Sequence, residues 1–418
     1  MPVNPKRSRQ HRPPIRAVDA NPDTTHLRPG LRADHPHATD AQTALTEFKH
    51  VGRPNLPDRD ILFERFHDIL DRAWLTNDGS YVRAFETRIA EICRVRNCVA
   101  VSNGTLALMV AAQCLGLTGE VIMPSLTFVA TPHAFAWQGL QPVFADVNSN
   151  SCCIDPDHVE SLITPRTSAI VGVHLWGNPC DVRRLESIAQ RHGLKLLFDA
   201  SHAFACTAER RPVGNFGDAE TFSFHATKFV SSVEGGAVVT NNDDLAARLR
   251  RARNFGFSGV DCVTQLGINA KLNEFSAAFG LTSLETVDTL TQRNRENYEC
   301  YAVQLRDIPG LSLLPCGQRE ISNFQYVVIR VDETECGLHR DELMAVLHQN
   351  NVGARRYFYP GCHRAAPYAL QQHHALPVTE KIVGEVLTLP TGTAVTRGDV
   401  ETICGLLRAT VRSARRAA

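Results

Sequence analysis

Between residues 98 and 240 the chain alternates short apolar runs with amphipathic stretches, a pattern that few architectures accept. Seven runs read as strands: 98–102, 120–124, 142–147, 169–175, 195–199, 219–224 and 236–240. Helical periodicity fills several of the gaps, as at 105–115 and 181–191. This alternation predicts an α/β domain built on a largely parallel sheet. Upstream, 81–95 reads as a helix with Phe85, Ile89 and Ile92 on one face. Downstream, 243–254 and 273–305 read as helices, the second broken near 284–288. After Pro309 the elements shorten to a strand at 324–331 and helices at 340–349 and 397–412, the pattern of a smaller α+β domain. The expected layout is a disordered tail over 1–50, a large domain over 51–290 and a small C-terminal domain over 291–418.

Composition narrows the partners. Lys and Arg (44) balance Asp and Glu (44), so no basic excess points to nucleic acid. No apolar run is long enough to cross a membrane. The 13 cysteines are scattered without a CxxC pair, and the histidines lack ligand spacing. Reduced thiols, a cytoplasmic location and no metal are expected. His373 and His374 are adjacent and read as exposed. In the tail, Lys6, Arg7, Arg9, Arg12 and Arg16 precede any acidic residue, and no apolar segment follows them. A solvated, disordered tail is therefore expected rather than a signal peptide, with a nucleic-acid or localisation role as the weaker alternative.

In open α/β sheets, ligands bind at the carboxyl ends of the strands. Five strand ends carry polar or aromatic groups: Ser102-Asn103-Gly104-Thr105, Thr127-Phe128, His174 with Trp176, Asp199 with His202, and Ser223 with His225 and Lys228. Lys228 lies between an apolar Phe222-Ser223-Phe224 and Phe229-Val230. A lysine shielded in this way loses its proton more easily and can condense with an aldehyde; a surface lysine is the plain alternative. Asp199 closes an apolar strand and needs a partner, either a cationic ring nitrogen or a helix cap. Asn103-Gly104-Thr105 opens a helix, suiting either a phosphate or a simple cap. Phe128 suits a planar ligand or the core. No GxGxxG or phosphate-loop pattern accompanies them.

Taken together, these stretches resemble the DegT/StrS-type sugar aminotransferases, from about residue 51 to about residue 393. The matching motifs are Leu75-Thr76-Asn77-Asp78-Gly79, Ser102-Asn103-Gly104-Thr105, Pro124-Ser125-Leu126-Thr127-Phe128-Val129-Ala130-Thr131, Val173-His174-Leu175-Trp176-Gly177, Phe198-Asp199-Ala200-Ser201-His202-Ala203, Ser223-Phe224-His225-Ala226-Thr227-Lys228, Glu234-Gly235-Gly236 and Gly267-Ile268-Asn269-Ala270-Lys271-Leu272-Asn273-Glu274. The resemblance implies a fold-type I, aspartate-aminotransferase-like transferase dependent on pyridoxal 5′-phosphate (PLP). It assigns Lys228 as the Schiff-base and proton-moving lysine, and Asp199 as partner of the ring nitrogen. His202 would meet the ring hydroxyl. Gly104, Thr105 and Ser223 would hold the phosphate, Phe128 would stack on the ring, and Asn269 would reach the phosphate of a partner subunit in a homodimer. Asn103, Lys271 and Ala205 depart from the Ser, Arg and Gly common in relatives.

The segments around His225 and Arg355-Arg356-Tyr357-Phe358-Tyr359-Pro360-Gly361-Cys362-His363-Arg364 look like members that aminate C4 of dTDP-4-keto-6-deoxyglucose with L-glutamate as donor. His225, Arg355, Tyr357, Tyr359 and His363 are therefore candidate ligands of a nucleotide-linked keto sugar. An Arg/Tyr/His cluster suits a diphosphate, and a solvated loop is the alternative. Two rival functions are a PLP-dependent sugar dehydratase, in which relatives carry His in place of the lysine, and a non-catalytic regulator on the same fold.

Overall fold

The computed structural model describes residues 44–316, 320–371 and 374–417. The tail up to residue 43 and His373 lie outside the described residues.

Seven strands form the main sheet: β1 (Asn97–Val101), β2 (Glu120–Pro124), β3 (Gln141–Ala145), β4 (Thr167–Val173), β5 (Lys195–Asp199), β6 (Ala219–Ser223) and β7 (Gly236–Thr240). Their spatial order is β1-β7-β6-β5-β4-β2-β3. Neighbours from β6 to β3 run parallel, and β7 runs antiparallel to both β6 and β1. Six strands therefore share a direction, and their carboxyl ends open on one edge.

Side chains alternate between two cores, as the two-residue period of a strand requires. On β5, Leu196 and Phe198 face one core with Leu185 and Ile188 of helix Val182–His192. Leu197 faces the other, with Ala107, Leu108 and Ala111 of helix Gly104–Leu115. A sheet covered on both faces explains why the strands read as unbroken apolar runs. Local signals punctuate them. Asp181 caps helix Val182–His192 through the Arg184 N–H, and Gly193, at φ 66°, ends it so that the chain turns into β5.

The long helical run splits where expected, into Glu274–Leu284 and Val287–Leu305. The second helix leads to a three-stranded antiparallel sheet, β8 (Leu311–Leu313), β9 (Val327–Val331) and β10 (Val386–Leu389), ordered β8-β9-β10. A separate core forms there from Leu305, Ile329, Leu343, Leu347, Leu387, Ile403 and Leu407. Leu45 belongs to that core, and Lys49–His50 pairs in parallel with Val352–Gly353. The tail expected over residues 1–50 is corrected at its end, because residues 45–50 are part of the fold. Their pairing partner lies some 300 positions away, beyond the reach of local pattern reading.

Candidate active site

Asp199 ends β5 and is 6% exposed. Both of its oxygens accept hydrogen bonds. Oδ1 takes the Ser201 N–H at 3.1 Å, and Oδ2 takes the Thr131 hydroxyl at 2.8 Å. Thr131 is in turn bonded to the Thr127 hydroxyl at 2.9 Å. Three residues beyond Asp199, His202 is buried and its Nδ1 accepts the backbone N–H of Trp176 at 3.3 Å. An accepting Nδ1 leaves the ring proton on Nε2. Burial and the nearby charge of Lys228 hold the His202 pKa well below the usual histidine range, so the imidazole is neutral and Nε2–H is a donor. Its ring stacks against Phe358 at 5.8 Å and lies 4.7 Å from Tyr326.

Lys228 follows β6 in a turn closed by its own N–H to the His225 carbonyl at 2.9 Å. Burial pushes its pKa down to about 8, although the charge of Asp199 opposes that shift. Lys228 lies close enough to interact electrostatically with both Asp199 and His202. Gly104 begins its helix, and Asn103 caps it by accepting the Leu106 N–H at 2.8 Å. A Cβ on Gly104 would stand 2.8 Å from that of Ser223, so glycine lets the helix N-terminus approach β6 closely. N–H groups of that first turn have no helical acceptor and carry the positive end of the helix dipole. Phe128 is 54% exposed, with its ring centroid 5.8 Å from that of Phe358.

The remaining expected residues divide. Tyr357 stacks on Phe358 at 4.9 Å, and burial, with Tyr357 and Asp199 nearby, raises the Tyr326 pKa well above the usual phenol range. Arg355 and Tyr359 are exposed, and Tyr359 lies under the Arg356 guanidinium at 4.5 Å. His225 is exposed; its Nδ1 meets the Thr227 hydroxyl at 3.0 Å and its Nε2 lies 3.7 Å from Glu234. His363 is 7% exposed, and its Nδ1 meets Ser125 Oγ at 2.6 Å. It therefore braces the segment that carries Phe128. Asn269 is exposed, bridged to Asn254 on the strand-poor stretch after helix Asp243–Ala252. Sequence reasoning named Thr127 only as part of a strand end and gave no role to Thr131, Tyr326 or Phe358. Nothing local announced Asp199 as the target of the two threonines.

A desolvated lysine with a carboxylate and a neutral imidazole, at a sheet edge that also carries an exposed aromatic ring and a helix N-terminus, is the kind of site that can capture a carbonyl compound. The comparisons give that class its family. Residues 58–408 match the DegT/DnrJ/EryC1/StrS aminotransferase family. A dTDP-4-amino-4,6-dideoxy-D-glucose transaminase of Shigella dysenteriae is 41% identical over 316 residues, covering 74% of this chain and 84% of that protein. The Escherichia coli protein of the same name is 33% identical over 365 residues, covering 85% and 97%. The crystal structure of DesI in the presence of its TDP-sugar product superposes with a TM-score of 0.86 at 49% identity, covering 90% of this chain and 97% of that one. The chain belongs to the DegT/DnrJ/EryC1/StrS aminotransferase family, and its fold is that of the PLP-dependent sugar aminotransferases.

Proposed function

We propose that this aminotransferase uses PLP held on Lys228 to move an amino group from L-glutamate to C4 of dTDP-4-keto-6-deoxyglucose, giving dTDP-4-amino-4,6-dideoxyglucose. The observation that carries the reading is that Lys228 lies close enough to Asp199 and to His202 for their charges to interact, at the sheet edge where Gly104 starts its helix against Ser223. The residues fit the cofactor on their own geometry. The helix N-terminus at Gly104 and Thr105, set against Ser223, suits a phosphate. Asp199 offers carboxylate oxygens to a ring N–H, His202 offers Nε2–H to a ring oxygen, and Phe128 offers an uncovered face.

When bound, PLP supplies an electron sink for the carbon next to the transferred nitrogen. Asp199 holds the ring nitrogen protonated, and His202 fixes the ring oxygen. With its pKa near 8, Lys228 can both take and return the proton at the amine-bearing carbon around neutral pH. Likeness to relatives named for dTDP-linked amino sugars supports the choice of sugar and nucleotide. Tyr357, Arg355 and Tyr359, from the segment after residue 291, form the substrate side in this reading.

A second copy of the chain completes the site. Apolar side chains crowd the stretch before Asn269: Phe257, Val260, Val263, Leu266 and Ile268 are 38–94% exposed. So much uncovered apolar surface suits a subunit interface, and it would carry Asn269 to the partner's phosphate site. The direct test incubates the full chain with PLP, L-glutamate and dTDP-4-keto-6-deoxyglucose under mass spectrometry. Amino sugar and 2-oxoglutarate should form in equal amounts, and Lys228→Ala should form neither. Loss of keto sugar without glutamate consumption would mean dehydration and overturn the reading.

A further inference from the structure

We propose that Thr131 is the positioning residue for Asp199, acting as the last link of a hydrogen-bond chain that runs from Thr127; the inference rests on the reading of Asp199 as partner of the cofactor's ring nitrogen. The direction of the chain follows from donor arithmetic. An ionised carboxylate only accepts, so the 2.8 Å contact between Thr131 and Asp199 Oδ2 spends the single proton of Thr131. Toward Thr127, at 2.9 Å, Thr131 must then accept, and Thr127 must donate. Thr131 is fully buried and Thr127 is 2% exposed, so bulk water does not compete for these groups. With the Ser201 N–H on Oδ1, the two bonds fix the plane of the carboxylate and leave one lone-pair direction per oxygen for a ligand.

The placement of the donors adds a second constraint. Phe128 lies between the two threonines, and the Thr131 N–H bonds the Phe128 carbonyl at 3.0 Å. The ring that offers its face and the hydroxyl that orients the carboxylate therefore belong to one turn. That turn is tied at its start: Ser125 O accepts the Cys362 N–H at 2.9 Å, Ser125 Oγ meets His363 Nδ1 at 2.6 Å, and the Cys362 thiol donates to Thr127 O at 3.2 Å. Asp199 is thus held relative to Phe128 by a path that does not pass through β5. A ligand stacked on Phe128 would find the carboxylate already aligned with its edge, which saves the ordering entropy otherwise lost on binding.

Two substitutions separate hydrogen bonding from packing. Thr131→Val keeps the shape and loses the hydroxyl; Thr131→Ser keeps the hydroxyl and loses a methyl. The full-length protein is titrated with PLP, reading the Kd and the absorption band of the bound cofactor, with Tm measured alongside. Thr131→Val should weaken PLP binding about tenfold and shift the band, the scale of a lost hydrogen bond to a charged group. Thr131→Ser should stay within about twofold of wild type. Thr127→Val, which removes only the outer link, should fall between them. In an Asp199→Ala background, adding Thr131→Val should change nothing further. The reverse ranking, with serine impaired and valine normal, overturns the inference in favour of packing. If Asp199→Ala is impaired while Thr131→Val is normal, this inference alone fails. If Asp199→Ala binds PLP like wild type with an unchanged band, the reading of Asp199 fails and takes this inference with it.

Discussion

Lys228 shows how a single side chain acquires its chemistry from its surroundings. Burial disfavours the ammonium more strongly than the charge of Asp199 favours it, and the pKa falls to about 8. In the proposed reaction the neutral amine is the nucleophile, so its population would set the rate of aldehyde capture. Capture of PLP by cofactor-free protein should rise about tenfold per pH unit below pH 8 and level off above it. Stopped-flow absorbance between pH 6.5 and 9.5 would check this. A rate still climbing through pH 9.5 would put Lys228 at an ordinary lysine pKa, near 10.4, and remove burial as the cause. Lys228 itself was legible from its flanks, because apolar neighbours on both sides foretell desolvation. The depth of that desolvation was not legible, since His202 and Asp199 arrive from another strand.

At the scale of elements, the helix start proposed to hold the phosphate depends on backbones meeting closely. Gly236, the first residue of β7, would place a Cβ 2.5 Å from the carbonyl group of Asn103. Backbone atoms cannot step aside as a side-chain tip can. Gly236→Ala should therefore destabilise the protein by about 1–3 kcal/mol in urea unfolding and displace the turn at 103–105. The variant should also lose PLP affinity, whereas a variant of equal stability altered far from this turn should not. One element went unread although its period was present. In helix Arg59–Arg72, Leu62, Phe63, Phe66, Ile69 and Leu70 recur at helical spacing on one face. Of these Leu62 and Ile69 are buried, while Phe63 and Leu70 stay exposed.

At the scale of the whole molecule, the proposed dimer divides each active site between two chains. Lys228 would come from one chain and Asn269 from the other. Lys228→Ala and Asn269→Ala should each be impaired alone. Co-refolded in equal amounts, half of the dimers would be hybrids, and each hybrid would have one fully wild-type site of its two. Activity should recover to about one quarter of wild type. An inert mixture, together with a monomer in sedimentation, would remove the partner from the site.

Pattern alone carried the α/β class, the strand runs of the main sheet, the break between helices at residues 285–286 and the polar groups at five strand ends. These are local properties: side-chain period, caps and β-sheet runs depend on neighbours within a few positions. Tertiary structure decided the rest. Only folding brought Thr131 to Asp199, 68 positions away, and Ser125 to His363, 238 away. It set His363, a candidate substrate ligand, against Ser125, and it drew residues 45–50 out of the expected tail, with Leu45 in the core and residues 49 and 50 paired to 352 and 353. Contacts of that range arise from packing whole elements against one another, and no window of the chain encodes them.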